Sequence, residues 1–262
     1  MNTWMTAMVF WALALAAPAN ALDVEHDLTI RLDPTSHRLT GVDRIRVRGE
    51  SETLTVFLSP HASIEEVALN GEKQPIRFSG SRIRIDLPTA EEEPNRTLRI
   101  AYSAVFDDEA PVMPVNTDNP GYGVTGTIGE RGTLLLSGSG WHPHVAGAES
   151  ATYRVRIEAP AGIVAVTAGR SLGHATRNGG TVSEWIVEQP VRGLSLSAGP
   201  YQVQEKRVGD VVAATYFTGR TADLAPSYLD AVERYLRMYA ELFGPYPFPK
   251  FAVVENFLDR KS

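Results

Sequence analysis

The amino-acid sequence predicts a mainly β protein, an antiparallel β-sandwich followed by a short α/β segment, and three observations carry that expectation. Short stretches alternate apolar and charged residues, as in Asp27-Leu28-Thr29-Ile30-Arg31-Leu32-Asp33 and Arg82-Ile83-Arg84-Ile85-Asp86-Leu87. That is the pattern of a strand with one buried and one solvated face. Turn residues separate these stretches and no helix-period segment interrupts them, which favours repeated antiparallel strands packed in two layers. The period changes only after Gly219, where Tyr228, Val232, Tyr235, Tyr239 and Leu242 recur at helical spacing.

Taken in order, residues 4–17 are apolar and Ala-rich and lead into Pro18-Ala19-Asn20-Ala21. The Ala19-Asn20-Ala21 triplet suits signal-peptide cleavage, and the run is shorter than the roughly 20 residues of a spanning helix. The preceding residues hold no Lys or Arg, so a retained anchor is the rival reading. The expected organisation is a signal peptide at 1–21, a β-sandwich domain at 22–208 and a second segment at 209–262. The mature chain is expected to be exported, periplasmic or extracellular, with no membrane contact after cleavage.

Strands are expected at 27–33, 54–58, 64–69, 74–78, 82–87, 97–105, 133–136, 153–158, 164–168 and 182–188. Asn70-Gly71 between the third and fourth is a type I′ hairpin signal, because both residues tolerate positive φ. Residues 107–132 carry Pro111, Pro114, Pro120, Gly121, Gly123, Gly126, Gly129 and Gly132 and read as a long connection. The second segment reads as a strand, a helix over 223–243 and a strand over 251–257. Asp223 and Pro226 suit a first helical turn, and Gly244-Pro245 is a stop signal. The stripe Tyr228/Val232/Tyr235/Tyr239/Leu242 reads as one apolar side that needs a partner surface to bury it, and a truncated enzyme is expected to expose it.

Composition narrows the function classes. With 43% hydrophobic residues in 262, the chain can build a sizeable core. A formal net charge of −6 and a pI near 5.6 leave no electrostatic footprint for nucleic acid. Arg44-Ile45-Arg46-Val47-Arg48 reads as a solvated sheet face rather than a phosphate-binding patch. There is no cysteine, so export brings no disulfide framework and stability must come from packing.

The constellations that could carry chemistry are few. None of His26, His37, His61, His142, His144 and His174 belongs to an H-E-x-x-H pair, the helical arrangement that sets two imidazoles on one face for zinc. His142-Pro143-His144 could place two imidazoles on one side of an extended segment, but two ligands are too few, and the expected role is a Trp141-x-Pro turn with surface histidines. Ser137-Gly138-Ser139-Gly140 is a small-residue turn and lacks the strand-to-helix setting of a nucleophile elbow. Gly121-Tyr122-Gly123 precedes no helix that could bind phosphate. Asn95-Arg96-Thr97 matches a glycosylation sequon, and Glu91-Glu92-Glu93 reads as a solvated tip. The residues nominate no catalytic and no metal-ligating position, and leave substrate-binding positions unidentified.

Taken together, the punctuation resembles the N-terminal portion of the aminopeptidase N-like zinc metallopeptidase family, the leukotriene A4 hydrolase and aminopeptidase N type. Trp141-His142-Pro143, the segment from Tyr153 to Pro160 and then Ala168-Gly169 are similar to its aromatic-x-Pro turn and the strands that follow. Trp185 through Gln189-Pro190 to Ser197-Ala198-Gly199-Pro200-Tyr201 resembles its next segment. Tyr216-Phe217-Thr218 with the helix resembles the start of its catalytic domain. Leu242-Phe243-Gly244-Pro245-Tyr246-Pro247-Phe248-Pro249-Lys250 is similar to its most specific linker.

The resemblance implies a saddle-like N-terminal β domain, followed by the truncated opening of a thermolysin-like metallopeptidase domain. Family members remove N-terminal residues from peptides. They use a G-x-M-E-N strand for the substrate amine and H-E-x-x-H with a distant Glu for zinc. Both motifs are implied to lie beyond this chain, so zinc is expected only for a full-length member, and peptide substrates only where the catalytic portion is present. Val254-Glu255-Asn256 resembles the tail of G-x-M-E-N but lacks its Gly and Met, and no role is transferred to Glu255. The expected function is therefore an aminopeptidase fragment inactive by itself. The alternatives are a stand-alone exported β-sandwich that binds peptide or protein, and a half that pairs with a separately encoded catalytic portion.

Overall fold

The structure is a computed structural model and describes residues 22–88, 95–109 and 124–257. The expected signal peptide, the acidic triplet at 91–93 and Gly121-Tyr122-Gly123 lie outside the described residues. No helix among the described residues is long and apolar enough to cross a membrane.

Strand Asp23–Asp33 buries every second residue along its length, directing Val24, Leu28, Ile30 and Leu32 inward. It bonds on both edges, antiparallel to Arg38–Arg48 and parallel to Ala151–Pro160. Around it runs an eight-stranded sheet. Its order is Arg170–Arg177, Gly180–Val191, Ala151–Pro160, Asp23–Asp33, Arg38–Arg48, Arg96–Val105, Ser63–Leu69 and Glu72–Lys73. Two four-stranded sheets share its core. One is Val164–Thr167, Leu196–Gly199, Gly132–Leu135 and Gly126–Gly129; the other is His144–Val145, Thr53–Phe57, Arg82–Asp86 and Phe78–Ser79. Leu28 and Ile30 belong to the same buried cluster as Val56, Ile83, Leu135 and Trp185. The mainly β sandwich is as expected, with one parallel pairing inside the large sheet.

The outer face explains the alternating arginines. Arg46 pairs with Glu25, Arg48 with Asp23 and Glu25, Arg31 with Glu158, and Arg156 with Glu158 and Glu184. These pairs, all but Arg156–Glu158 between neighbouring strands, are solvated, and each contributes at most about 1 kcal/mol. They make the face a neutralised lattice rather than an anion site.

Two expected elements differ. Asn70 (φ 52°) and Gly71 (φ 89°) do form the tight turn, but its second strand is only Glu72–Lys73. Pro75 follows and has no N–H to extend the ladder. The long connection at 107–132 ends in a hairpin, Gly126–Gly129 against Gly132–Leu135. Its base is tied by Asp108, whose carboxylate accepts from the backbone N–H groups of Thr125 and Gly126.

The chain then builds a third layer. Gln202–Val208 and Val211–Phe217 form a hairpin, and Lys250–Val254 adds in parallel to Val211–Phe217. The expected boundary at 208/209 falls in the turn of that hairpin. Strand alternation gives the small sheet two apolar faces. Ala214, Tyr216, Ala252 and Val254 pack onto the main core. Val208, Ala213 and Val253 pack against the helix Ala225–Phe243 through Leu229, Val232 and Leu236.

The helix accordingly leaves most of the expected stripe exposed and docks through another. Of the predicted stripe only Val232 is buried, whereas Tyr228, Tyr235, Tyr239 and Leu242 are exposed. The helix carries two neighbouring apolar stripes. The one bearing Ala225, Leu229, Val232 and Leu236 is the slimmer and can approach a sheet surface built from Ala213 and valines, which tyrosine rings at the contact would hold away.

The Ser137–Ser139 turn shows why one of its glycines is structural. Gly140 has φ 69°, and a Cβ there would lie 2.4 Å from the backbone nitrogen of Ser59, which donates to the Gly140 carbonyl at 2.8 Å. A Cβ on Gly138 meets nothing within 4 Å. Gly140→Ala is accordingly expected to lower stability by about 2 kcal/mol or more, while Gly138→Ala stays within about 0.5 kcal/mol, read by denaturant unfolding. Equal effects at the two positions would contradict this packing.

Candidate functional site

Two polar clusters lie in the fold. The first contains the predicted Trp141-His142-Pro143-His144 turn. Trp141 is buried, donating from its indole Nε1 to Leu194 O at 2.9 Å and accepting at its carbonyl from Tyr102 Oη at 2.9 Å. His142 is buried against it, with ring centroids 4.6 Å apart, and its Nδ1–H donates to Pro143 O at 2.9 Å. His144 is exposed. The two imidazoles thus do not share a face, and the expectation of two surface histidines is corrected at His142, which belongs to the core.

His142 faces a buried pair that the sequence did not suggest. His26 stacks on Tyr153 at 4.7 Å and donates from Nδ1–H to Asp43 Oδ2 at 2.7 Å. His26 and His142 stand edge to face at 6.1 Å. Burial, and then the positive field of His26, pulls the His142 imidazole down to about 3, so it is neutral at physiological pH. Burial and the Asp43 charge push the Tyr102 and Tyr153 phenols up. Asp43 Oδ1 is buried without a partner. All six histidines lie among the described residues, and these contain no cluster of three or more His, Asp or Glu able to hold a metal. Among the described residues these side chains do not fit a zinc site.

The second cluster is the junction between sandwich and third layer. Lys250 leaves the small sheet and enters the sandwich, where Nζ donates to the Thr167 carbonyl and sits 3.8 Å above the Trp185 ring centroid. Burial pulls its amine down to about 7, and the charge of Glu205 opposes that shift. The carbonyl and the indole face also favour the ammonium.

At the other end of the same strand, Tyr201 Oη donates to Glu255 O at 3.1 Å. The Glu255 carboxylate accepts from Thr218 N–H and Thr221 Oγ1. Burial raises this carboxyl, but those hydrogen bonds outweigh it and hold Glu255 below the usual carboxylate range. Glu130, Arg131, Tyr201, Arg220, Glu255 and Phe257 line a cleft of about 350 Å³ here. It is a polar cleft with both signs of charge, between two structural layers. Lys250 appeared in the sequence only as the end of the linker motif. Glu255 appeared there only in a partial likeness to G-x-M-E-N, and nothing in the sequence joined it to Tyr201 or Thr218, which lie 54 and 37 residues away.

No protein-family model and no curated protein matches the chain. Solved structures do match its fold. One is an M1 zinc metallopeptidase from Deinococcus radiodurans, 21% identical, with a TM-score of 0.71 over 89% of this chain and 56% of that one. A mutant of the enzyme bound to a Tyr-Ser-Ala substrate aligns equally well at 20% identity, again over 89% and 56%. A two-domain M1 zinc metallopeptidase mutant bound to L-arginine gives a TM-score of 0.71 at 20% identity, with the same coverage. The chain thus spans just over half the length of the structures it matches. The shared feature is the fold.

Both clusters make stability depend on pH with the same sign. His142 has a folded-state value of about 3 against an ordinary 6.5, so the unfolded chain binds the extra proton between these limits. Its contribution is full above about pH 6.5 and is lost as pH falls toward 3. Lys250, at about 7 against 10.5, makes stability rise between pH 7 and 10.5. Unfolding free energies measured across pH are expected to fall by a few kcal/mol on the acid limb, with His142→Phe flattening that limb and Lys250→Met the alkaline one. Unchanged limbs in both variants would show that neither group is buried as described.

Proposed function

We propose that this chain forms the N-terminal β scaffold, and the opening strands and helix of the catalytic domain, of an exported M1-type zinc aminopeptidase of the aminopeptidase N and leukotriene A4 hydrolase branch. The observation that carries the proposal is the extent of the fold match. Coverage of 89% is more than residues 22–208 can supply, so the likeness runs past the sandwich into the third layer. The agreement is with an enzyme whose structure includes one bound to the tripeptide Tyr-Ser-Ala. The linker resemblance at 242–250 supports the same reading independently, because it falls where the third layer docks.

In this reading the chain's own residues do two things. Lys250, Thr167 and Trp185 hold the third layer in fixed orientation on the sandwich. The cleft between Arg131, Arg220 and Glu255 offers a peptide both an anionic and a cationic partner. The sequence contains no H-E-x-x-H, so zinc and the attack on the scissile bond would be supplied by polypeptide beyond these 262 residues. Export rests on residues 1–21, and N-terminal sequencing of the exported protein is expected to begin at Leu22.

The proposal is tested with the purified 262-residue chain, zinc and aminoacyl-p-nitroanilides. No hydrolysis and less than one bound zinc per chain are expected. Turnover with one bound zinc per chain would overturn the scaffold reading. Translation of the nucleotide sequence after codon 262 in all three frames is expected to show an M-E-N strand and H-E-x-x-H. Their absence, with cooperative melting of a soluble chain, would favour a stand-alone peptide- or protein-binding sandwich.

A further inference from the structure

The Trp141-His142-Pro143-His144 turn reaches all three sheets of the sandwich. Tyr102 of the eight-stranded sheet donates to the Trp141 carbonyl, and the Trp141 indole donates to Leu194 O, just before strand Leu196–Gly199. Gly140 O accepts from Ser59 N–H, and Val145 pairs with Val56 of strand Thr53–Phe57. The turn's own strand, His144–Val145, is only two residues long. A segment held by so few backbone hydrogen bonds opens at lower free energy than the sheets it joins.

Within this turn His142 sits where a second positive charge has no counter-ion. Asp43 is fully buried; among the described residues its side chain is bonded by His26, and its Oδ1 has no partner. A buried carboxylate with an imidazole as its partner is stable as an ion pair, so His26 carries the proton. The titratable groups against His142 are His26 and Tyr153, from the parallel strand pair, and His144 beside it. Tyr102 and Asp43 complete the cluster, and Arg192 lines the same cavity as His26, His144 and Tyr153. Asp43 is the one anion in this group, and His26 already matches it.

We propose that this turn is an acid-released clasp. A proton on His142 sets two imidazolium rings beside one carboxylate, and residues 140–145 then leave the core while the eight-stranded sheet stays folded. Nothing in this device depends on the peptidase reading, since every group belongs to the sandwich.

Burial, and then the field of His26, holds His142 at about 3 in the closed turn, against an ordinary 6.5 once released. Release therefore takes up a proton across that window. The open fraction rises about tenfold for each pH unit as pH falls from about 6.5 toward 3. His144 is lowered in the same direction by burial and His26, so it adds to the effect.

The test is hydrogen exchange of two indole N–H groups, followed by NMR in the 262-residue chain between about pH 4 and 7, each rate taken relative to free tryptophan at the same pH. Trp141 Nε1–H is bonded inside the clasp, and Trp185 Nε1–H, bonded to Ala165 O at 3.3 Å, lies outside it. Trp141 is expected to exchange at least about tenfold faster than Trp185, without dependence on low denaturant, and faster still on acidification. His142→Phe is expected to remove most of that acid-driven rise. The double variant His26→Gln with Asp43→Asn keeps a hydrogen bond but removes both charges, and is expected to cut the rise about tenfold or more. One shared rate for both indoles through a denaturant-dependent opening would overturn the proposal. So would an acid-driven rise that either variant leaves unchanged.

Discussion

The parallel pairing of strand Asp23–Asp33 with Ala151–Pro160 is the constraint on which the rest of the molecule depends. It seats the first described strand in the middle of the eight-stranded sheet, between partners more than 100 residues apart in sequence. The loop-closure cost of such a contact has to be offset by what it buries, and here that is the inward row Val24, Leu28, Ile30 and Leu32. The pairing also brings the polar core together. His26 lies directly opposite Tyr153 in the parallel register, on which it stacks, while Asp43 comes from the antiparallel neighbour. Shifting that register by one residue would turn His26 and the aliphatic row outward together.

From that sheet the architecture grows by shared faces. The small sheet after Gln202 is shared between two cores; strand alternation gives it one face for the sandwich and one for the helix. Lys250 and Glu255 hold that layer at the two ends of its edge strand, one through Trp185 and Thr167, the other through Tyr201, Thr218 and Thr221. A buried ammonium beside an indole is weak as stabilisation, because desolvation opposes the attraction, but it fixes orientation: a flexible chain alone would not hold Nζ over the ring. The cleft is a consequence of that fixed orientation.

What the sequence revealed and what it hid follow from the same physics. Strands with one solvated face were readable at 27–33 and 82–87, because alternation is a local property. Arg170–Arg177 was not, since as an edge strand it exposes almost every residue and carries no alternation. The helix was legible in extent, but the second stripe that docks it on the small sheet, Ala225, Leu229, Val232 and Leu236, was not. Tyr228, Tyr235 and Tyr239 are the more hydrophobic stripe to a reader of spacing, whereas the slimmer stripe is the one that fits a sheet lined by Ala213. The His142 environment was hidden for a different reason: its burial is set by His26, Asp43 and Tyr153, none of them its sequence neighbour. The cleft was hidden in the same way, because its walls are distant segments joined only by docking of the third layer.

The central claim is that sandwich and third layer form one body through this junction. Native-state hydrogen exchange under increasing denaturant tests it most directly, comparing peptides spanning 23–33, 151–160 and 250–254. If the account is right, all three exchange through the same global opening, with one free energy and one denaturant slope. Exchange at 250–254 through a separate opening of much lower free energy, while 23–33 and 151–160 stay protected, would contradict it.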